Sequence, residues 1–102
     1  MSEWHKVAFL GDVSPGTARE LTVGGRIVAL FNVDGVLFAL DGNCPHMGGP
    51  LGNGALSGSV VTCPWHGWQF DVTTGRNLLN PRIEQTRFPL KIEGNDVWVE
   101  LP

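Results

Sequence analysis

Two short segments of the sequence carry residue types that bind metal ions: Cys44 and His46 in the first, and Cys63 and His66 in the second. In each pair the side chains are two or three positions apart, and a proline follows the cysteine, so both segments should be loops rather than helices. Sixteen residues separate His46 from Cys63, which is enough for a turn and one strand to bring the second loop beside the first. The spacing therefore predicts one site built from two Cys/His loops.

The residue types alone do not choose the metal, because thiolate and imidazole bind both iron and zinc. Structural zinc sites usually take two cysteines from one segment and two histidines from another, whereas each loop here offers one of each. The chain has only two cysteines, and a reducing cytoplasm would keep an ordinary pair as thiols, which favours metal ligation or redox work over a structural disulfide. A zinc-bound interaction module and a redox-active dithiol stay open as alternatives at this point.

The full pattern, C-x-H, sixteen residues and C-x-x-H, resembles the signature of the Rieske family, and the surrounding residues strengthen the match. The resemblance extends over essentially the whole chain, but its specificity lies in the two loops. It implies one Rieske-type 2Fe-2S cluster, in which Cys44 and Cys63 bind one iron and His46 and His66 bind the other.

Three glycines in these loops, Gly48, Gly49 and Gly67, are expected to let the backbone approach the cluster closely. The high-potential respiratory branch of the family has an additional cysteine in each loop and hydroxyl side chains that donate to the cluster. This chain has no third cysteine, and Trp68 and Phe70 occupy the corresponding places. We therefore expect a lower reduction potential than in that branch.

Two other features near the loops have two interpretations each, and His5 is a separate case. Trp65 and Trp68 are expected to shield the cluster from water, and contact with a redox partner is the alternative. Asn80-Pro81 is either a third loop against the cluster, as in the family, or an ordinary turn. His5 has no ligand partner nearby in sequence and is expected to be a surface histidine.

With no membrane anchor expected, the chain resembles the ferredoxin components of bacterial ring-hydroxylating dioxygenases or the small Rieske subunit of nitrite reductase. The first resemblance implies a one-electron carrier, monomeric when free, that takes electrons from a flavin-dependent ferredoxin reductase and passes them to a terminal oxygenase. The second implies a subunit bound to a large nitrite reductase subunit. A saturated cluster has no open metal position for a substrate, so we expect no independent enzymatic activity.

The elements that must position the loops are predicted to be strands, because short runs of Val, Leu, Phe and Ile alternate with turn signals. The clearest unit is a hairpin of residues 27–33 and 36–40, joined by a type I′ turn at Asp34-Gly35. Further strands are expected near residues 17–23, 59–63, 68–73, 86–92 and 96–101, with turns at Gly24-Gly25, Thr74-Gly75 and Gly94-Asn95. Residues 41–58 read as one long loop. The expected fold is all-β, a small antiparallel β-sandwich or partly closed barrel with a two-loop cluster-binding subdomain.

Length and composition limit what else the chain does. We expect one domain over residues 1–102, with cluster-binding loops near 42–51 and 62–71. The formal net charge is -3 and no basic cluster occurs, which argues against nucleic acid as a partner. No export signal is visible, and no apolar stretch approaches the ~20 residues that a membrane helix needs, so the expected location is cytoplasmic, with no membrane partner.

Overall fold

In the computed structural model, which describes residues 2–44, 48–65 and 67–102, the chain forms ten strands and two short 3₁₀ helices. The strands are β1 (Glu3–Phe9), β2 (Ala18–Val23), β3 (Arg26–Val33), β4 (Val36–Asp41), β5 (Ala55–Ser57), β6 (Val60–Thr62), β7 (Gln69–Asp71), β8 (Arg87–Phe88), β9 (Leu90–Glu93) and β10 (Asp96–Leu101). The 3₁₀ helices are Leu10–Asp12 and Leu51–Asn53. Neither helix, nor any other in the described ranges, has the length and apolar character needed to cross a membrane.

The strands pair antiparallel in three sheets, with the orders β1-β10-β9, β2-β3-β4-β8 and β5-β6-β7. Side chains of β3 alternate between the two faces of the four-stranded sheet, and both faces are buried. This sheet therefore lies between the other two. Val28 and Leu30 pack with β10, whereas Ala29 and Phe31 pack with β6 and β7. The predicted all-β antiparallel fold is confirmed, and the sheets do not close into a barrel.

The predicted hairpin is confirmed and leads directly to the first Cys/His segment. β3 and β4 pair from Val33 and Val36 at the turn to Val28 and Asp41 at the open end. The φ angles of Asp34 and Gly35 are 51° and 93°, as a type I′ turn requires. The hairpin thus holds Asp41, the last residue of β4, at a fixed place in the central sheet.

Three elements differ from the sequence predictions. The run 86–92 forms two strands, since Pro89 interrupts it: β8 pairs with β4 in the central sheet, and β9 pairs with β10 in another. The expected long loop 41–58 contains a strand, β5, which pairs with β6. β1 was not predicted, and it pairs with β10 along most of its length.

Candidate metal centre

The first Cys/His segment begins as a narrow closed loop at the end of β4. The N–H of Cys44 donates to the carbonyl oxygen of Gly49 at 2.9 Å, and the N–H of Gly48 donates to the carbonyl oxygen of Cys44 at 2.7 Å. Gly48 has a φ of 71°, which favours glycine at this position. Asn43 forms a bridge with Pro50, so both ends of the loop are held together. Residues 45–47 of this segment lie outside the described residues, and they include His46.

The second segment is a tight turn between β6 and β7. These strands pair through Thr62 and Gln69, and next to that pair the N–H of Cys63 donates to the carbonyl oxygen of Trp68 at 2.8 Å. Gly67 has a φ of 72°. His66, the other predicted imidazole ligand, lies outside the described residues. The ladder of two paired strands therefore fixes the backbone of Cys63.

The two cysteines belong to one buried group of side chains, although 18 residues of sequence separate them. Cys44 and Cys63 are 2% and 1% exposed, and no disulfide joins them. Gly49 of the first loop lies against the second loop: a Cβ added there would be 2.8 Å from Sγ of Cys63 and 3.0 Å from Cβ of Trp65. The structure thus brings the two loops into contact at Gly49, beside one of the predicted thiolate ligands.

The three loop glycines have different physical roles. At Gly49 the space is too small for a side chain, because Cys63 and Trp65 lie against it. At Gly48 and Gly67 no heavy atom of the described residues lies within 4 Å of an added Cβ, so the positive φ angle is the observed reason for glycine there. The backbone of Gly49 can therefore lie directly against the Cys63 side chain only because Gly49 has no side chain of its own.

The two tryptophans of the second segment differ in exposure. Trp68 is partly buried, packs against the group that contains both cysteines, and lies 6.4 Å from Phe70 between ring centroids. Trp65 is half exposed. Trp68 is therefore placed to cover the buried group, whereas Trp65 offers an apolar surface to solvent or to a partner.

Residues 77–83 form a third segment beside the second loop. The N–H of Leu78 donates to the carbonyl oxygen of Gln69, and Oδ1 of Asn77 accepts from the N–H groups of Leu79 and Asn80. The N–H of Ile83 donates to the carbonyl oxygen of Asn80, and this hydrogen bond closes a turn that begins at Asn80. Asn80-Pro81 is thus a turn, and it lies in a segment that borders the second loop.

Exposed apolar side chains occur on the second loop and on the third segment beside it. Leu79 is 97% exposed, Leu78 and Trp65 are about half exposed, and Leu79 borders a cavity that Gly67 and Trp68 also line. We call Trp65, Leu78 and Leu79 the apolar patch. Exposed apolar surface beside a functional loop often marks a contact with another protein.

Sequence reasoning missed Gln85, which reaches the first loop from a distant part of the chain. Its Nε2 donates to the carbonyl oxygens of Asp41 and Asn43. No local signal identifies such a residue, because a glutamine with acceptors 42 and 44 positions away has no motif. Within the described ranges, no three Cys, His, Asp or Glu side chains are grouped so that they could hold a metal ion.

Comparisons with known proteins agree with this geometry. A family model described as "Rieske [2Fe-2S] domain" matches residues 3–92. The ferredoxin component of the naphthalene 1,2-dioxygenase system of Pseudomonas aeruginosa is 35% identical over 100 residues, which cover 97% of this chain and 96% of that protein.

The similar solved structures include the following two chains. A chain in the complex of reduced oxygenase and oxidized ferredoxin of carbazole 1,9a-dioxygenase is 33% identical with a TM-score of 0.85, covering 94% of this chain and 91% of that one. A chain assigned as the small subunit of an NADPH nitrite reductase is 20% identical with a TM-score of 0.80, covering 95% and 97%, and this likeness concerns the fold alone.

Proposed function

The chain belongs to the Rieske [2Fe-2S] domain family, and from that membership we propose that it is a ferredoxin that carries single electrons. Its cofactor is a 2Fe-2S cluster, for which we propose Cys44, His46, Cys63 and His66 as ligands. The observation that carries this proposal is the burial of both cysteines in one group, with Gly49 of the first loop packed closely against the sulfur of Cys63. When bound, the cluster supplies a centre that takes up and releases one electron at a time.

The residues around the two cysteines would tune and protect such a centre. Burial of Cys44 and Cys63 keeps water and oxidants away from the thiolates. Trp68 and Phe70 pack at the side of the second loop, where they present apolar surface and no hydroxyl donors. A centre with fewer donated hydrogen bonds is harder to reduce, which supports a place in the lower-potential branch of the family.

We propose that a flavin-dependent ferredoxin reductase is the electron donor and a terminal oxygenase the acceptor. The relative from Pseudomonas aeruginosa supports this, since it is the ferredoxin component of a dioxygenase system, and one similar chain was solved in a complex of oxygenase and ferredoxin. The apolar patch lies beside the second cysteine loop, so a protein that covers it would also approach the cluster. We assign the patch to the oxygenase.

The remaining properties follow from the same proposal. Residues 1–102 would act as one domain, because β3 contributes to both buried groups and so ties the cluster-binding end to the rest of the fold. We propose a monomer when free and a cytoplasmic location. The alternative of a nitrite reductase subunit is supported by a likeness of fold.

Metal analysis and electron paramagnetic resonance of the purified protein test the proposal. We expect iron and acid-labile sulfide in equal amounts, and a reduced-state signal with a lower average g value than four-cysteine clusters give, because two imidazoles replace two thiolates. A protein that contains one zinc ion and no sulfide would be an interaction module instead, and the proposed function would be wrong.

Two histidine variants provide the matched comparison. His66→Ala removes a proposed ligand, and we expect the characteristic signal to disappear. His5→Ala removes the one histidine of the chain that is not a proposed ligand. His5 lies in β1 with its side chain partly exposed, and we expect an unchanged signal. If both variants keep the wild-type electron paramagnetic resonance signal, His66 is not a ligand.

A further inference from the structure

Gln85 is a buried polar side chain that contacts the entrance of the first cysteine loop. It is 7% exposed, and its Nε2 donates to the carbonyl oxygens of Asp41 at 2.6 Å and of Asn43 at 2.5 Å. Asp41 ends β4, and Asn43 directly precedes Cys44. One side chain from the segment before β8 therefore holds the stretch of backbone that leads into the loop.

The hydrogen bond to Asn43 acts on the peptide group that contains the nitrogen of Cys44. A peptide group is planar, so the carbonyl of Asn43 and the N–H of Cys44 move together. Gln85 binds the oxygen of this group, and the carbonyl of Gly49 accepts from its N–H at 2.9 Å. Because its carbonyl oxygen and its N–H are both hydrogen-bonded, the peptide group between Asn43 and Cys44 is held in one orientation.

The backbone of Gln85 is itself anchored to the strand that leaves the second cysteine loop. Its N–H donates to the carbonyl oxygen of Gly75 at 2.6 Å, and the N–H of Gly75 donates to Asp71, the last residue of β7. Gly75 has a φ of 82°, and a Cβ there would collide with the carbonyl oxygen of Gln85. Gln85 thus connects β7, which follows Cys63, with the entrance of the loop that contains Cys44.

The contact explains why the residue is a glutamine. Two carbonyl oxygens need two N–H groups from one side chain, which a neutral amide nitrogen supplies. A carboxylate would present only acceptors to the same oxygens, and an apolar side chain would leave them without this donor. A buried polar side chain is costly unless it is hydrogen-bonded, so burial alone would favour an apolar residue here.

We propose that Gln85 is a positioning residue of the cluster site: it fixes the peptide group before Cys44 and thereby sets how firmly and in what geometry the first loop holds the cluster. This inference rests on the proposed function. Residues that orient metal ligands from outside the ligand set commonly change metal affinity and redox behaviour when they are replaced. Gln85 acts on the cluster through Cys44 and is not itself a ligand.

The test compares Gln85→Met with a matched control, Asn32→Leu. Gln85→Met keeps the length of the side chain and removes both donors. Asn32 is also a buried amide, which donates to the carbonyl oxygen of Val13 at 2.8 Å and accepts from the N–H of Gly35 at 2.7 Å. It lies near the turn of the β3–β4 hairpin, at the opposite end from the first loop.

We expect both variants of the cluster-loaded protein to unfold at lower urea concentration, but only Gln85→Met to change the cluster. Its loss of iron to excess chelator should be about tenfold faster than in Asn32→Leu. Its g values and its reduction potential, measured by protein-film voltammetry, should differ from those of the wild type. Asn32→Leu should retain the wild-type g values and potential.

A second variant, Gln85→Asn, is measured alongside, so that the comparison does not depend on the folding of Gln85→Met alone. The asparagine side chain is one methylene shorter, and we expect its g values to change in the same direction as those of Gln85→Met. If both Gln85 variants release iron no faster than Asn32→Leu and keep wild-type g values and potential, the positioning role is wrong. A wild-type protein without a Rieske-type signal would overturn the proposed function itself, which is a different result.

Discussion

Gly49 is the residue at which the two cysteine loops meet, and its lack of a side chain is the condition for that contact. A Cβ there would be 2.8 Å from Sγ of Cys63 and 3.0 to 3.1 Å from Cβ and Cγ of Trp65. We predict that Gly49→Ala separates the loops, lowers the free energy of unfolding by about 1–3 kcal/mol and reduces the iron bound per chain. Urea titration and iron analysis measure the two effects.

Gly11→Ala is the control for the added methyl group. Gly11 lies in the first 3₁₀ helix and does not have a positive φ angle, and within the described part of the chain no heavy atom lies within 4 Å of an added Cβ. We expect a change in stability of less than about 0.5 kcal/mol and full iron content. Iron content that is equally high in both variants would contradict the close contact at Gly49.

Residues with distinctive chemistry were recognisable from the sequence, whereas those that act by contact were not. The cysteines and histidines stand out because such residues are few and their spacing is unusual. Gly49 was expected to allow a close approach to the cluster, but its contact with Cys63 and Trp65 was not predicted. Gln85 could not be identified, since its effect depends on two carbonyl oxygens that only the folded chain brings within reach.

At the scale of elements, β3 supports the metal centre with one face and the rest of the fold with the other. Phe31 packs in the group that contains both cysteines, and its neighbour Leu30 packs on the opposite face with β10. Both side chains are fully buried. We predict that Phe31→Leu and Leu30→Val each lower the free energy of unfolding by about 1 kcal/mol, and that only Phe31→Leu accelerates the loss of iron to a chelator.

The comparison is informative because the two residues are adjacent in sequence and similar in burial. Equal rates of iron loss in Phe31→Leu and Leu30→Val would mean that the cysteine loops respond to global stability alone. A faster loss in Leu30→Val would contradict the assignment of the two faces. Chelator kinetics at a urea concentration far below both unfolding midpoints separate these outcomes.

The strands that the sequence predicted are those with a local signal. The β3–β4 hairpin has apolar runs on both sides of Asp34-Gly35, and the turn has the φ angles that this dipeptide favours. β5 has only three residues and forms because β6 lies beside it, a condition that its own sequence does not contain. The run 86–92 divides at Pro89, which has no N–H for a ladder, so its two halves join different sheets.

At the scale of the whole molecule, the apolar patch and the cysteine loops share one end, and the turn of the β3–β4 hairpin lies at the other end of β4. Leu79 is almost fully exposed, so it contributes little to the stability of the free protein. If a partner covers the patch during electron transfer, the same side chain becomes buried in the complex. Well-packed apolar residues at the centre of an interface contribute more than about 1 kcal/mol each.

We therefore predict that Leu79→Ser slows electron transfer to a terminal oxygenase about tenfold when the oxygenase is dilute, with unchanged g values and potential. Stopped-flow oxidation of the reduced protein measures the rate, with the ring-hydroxylating oxygenase that oxidises the wild type fastest as acceptor. Val36→Ser is the control, because Val36 is an exposed apolar residue beside the hairpin turn, and we expect the wild-type rate. If the two variants transfer electrons equally fast, the oxygenase docks elsewhere. If Leu79→Ser slows only reduction by the reductase, the patch belongs to the electron donor.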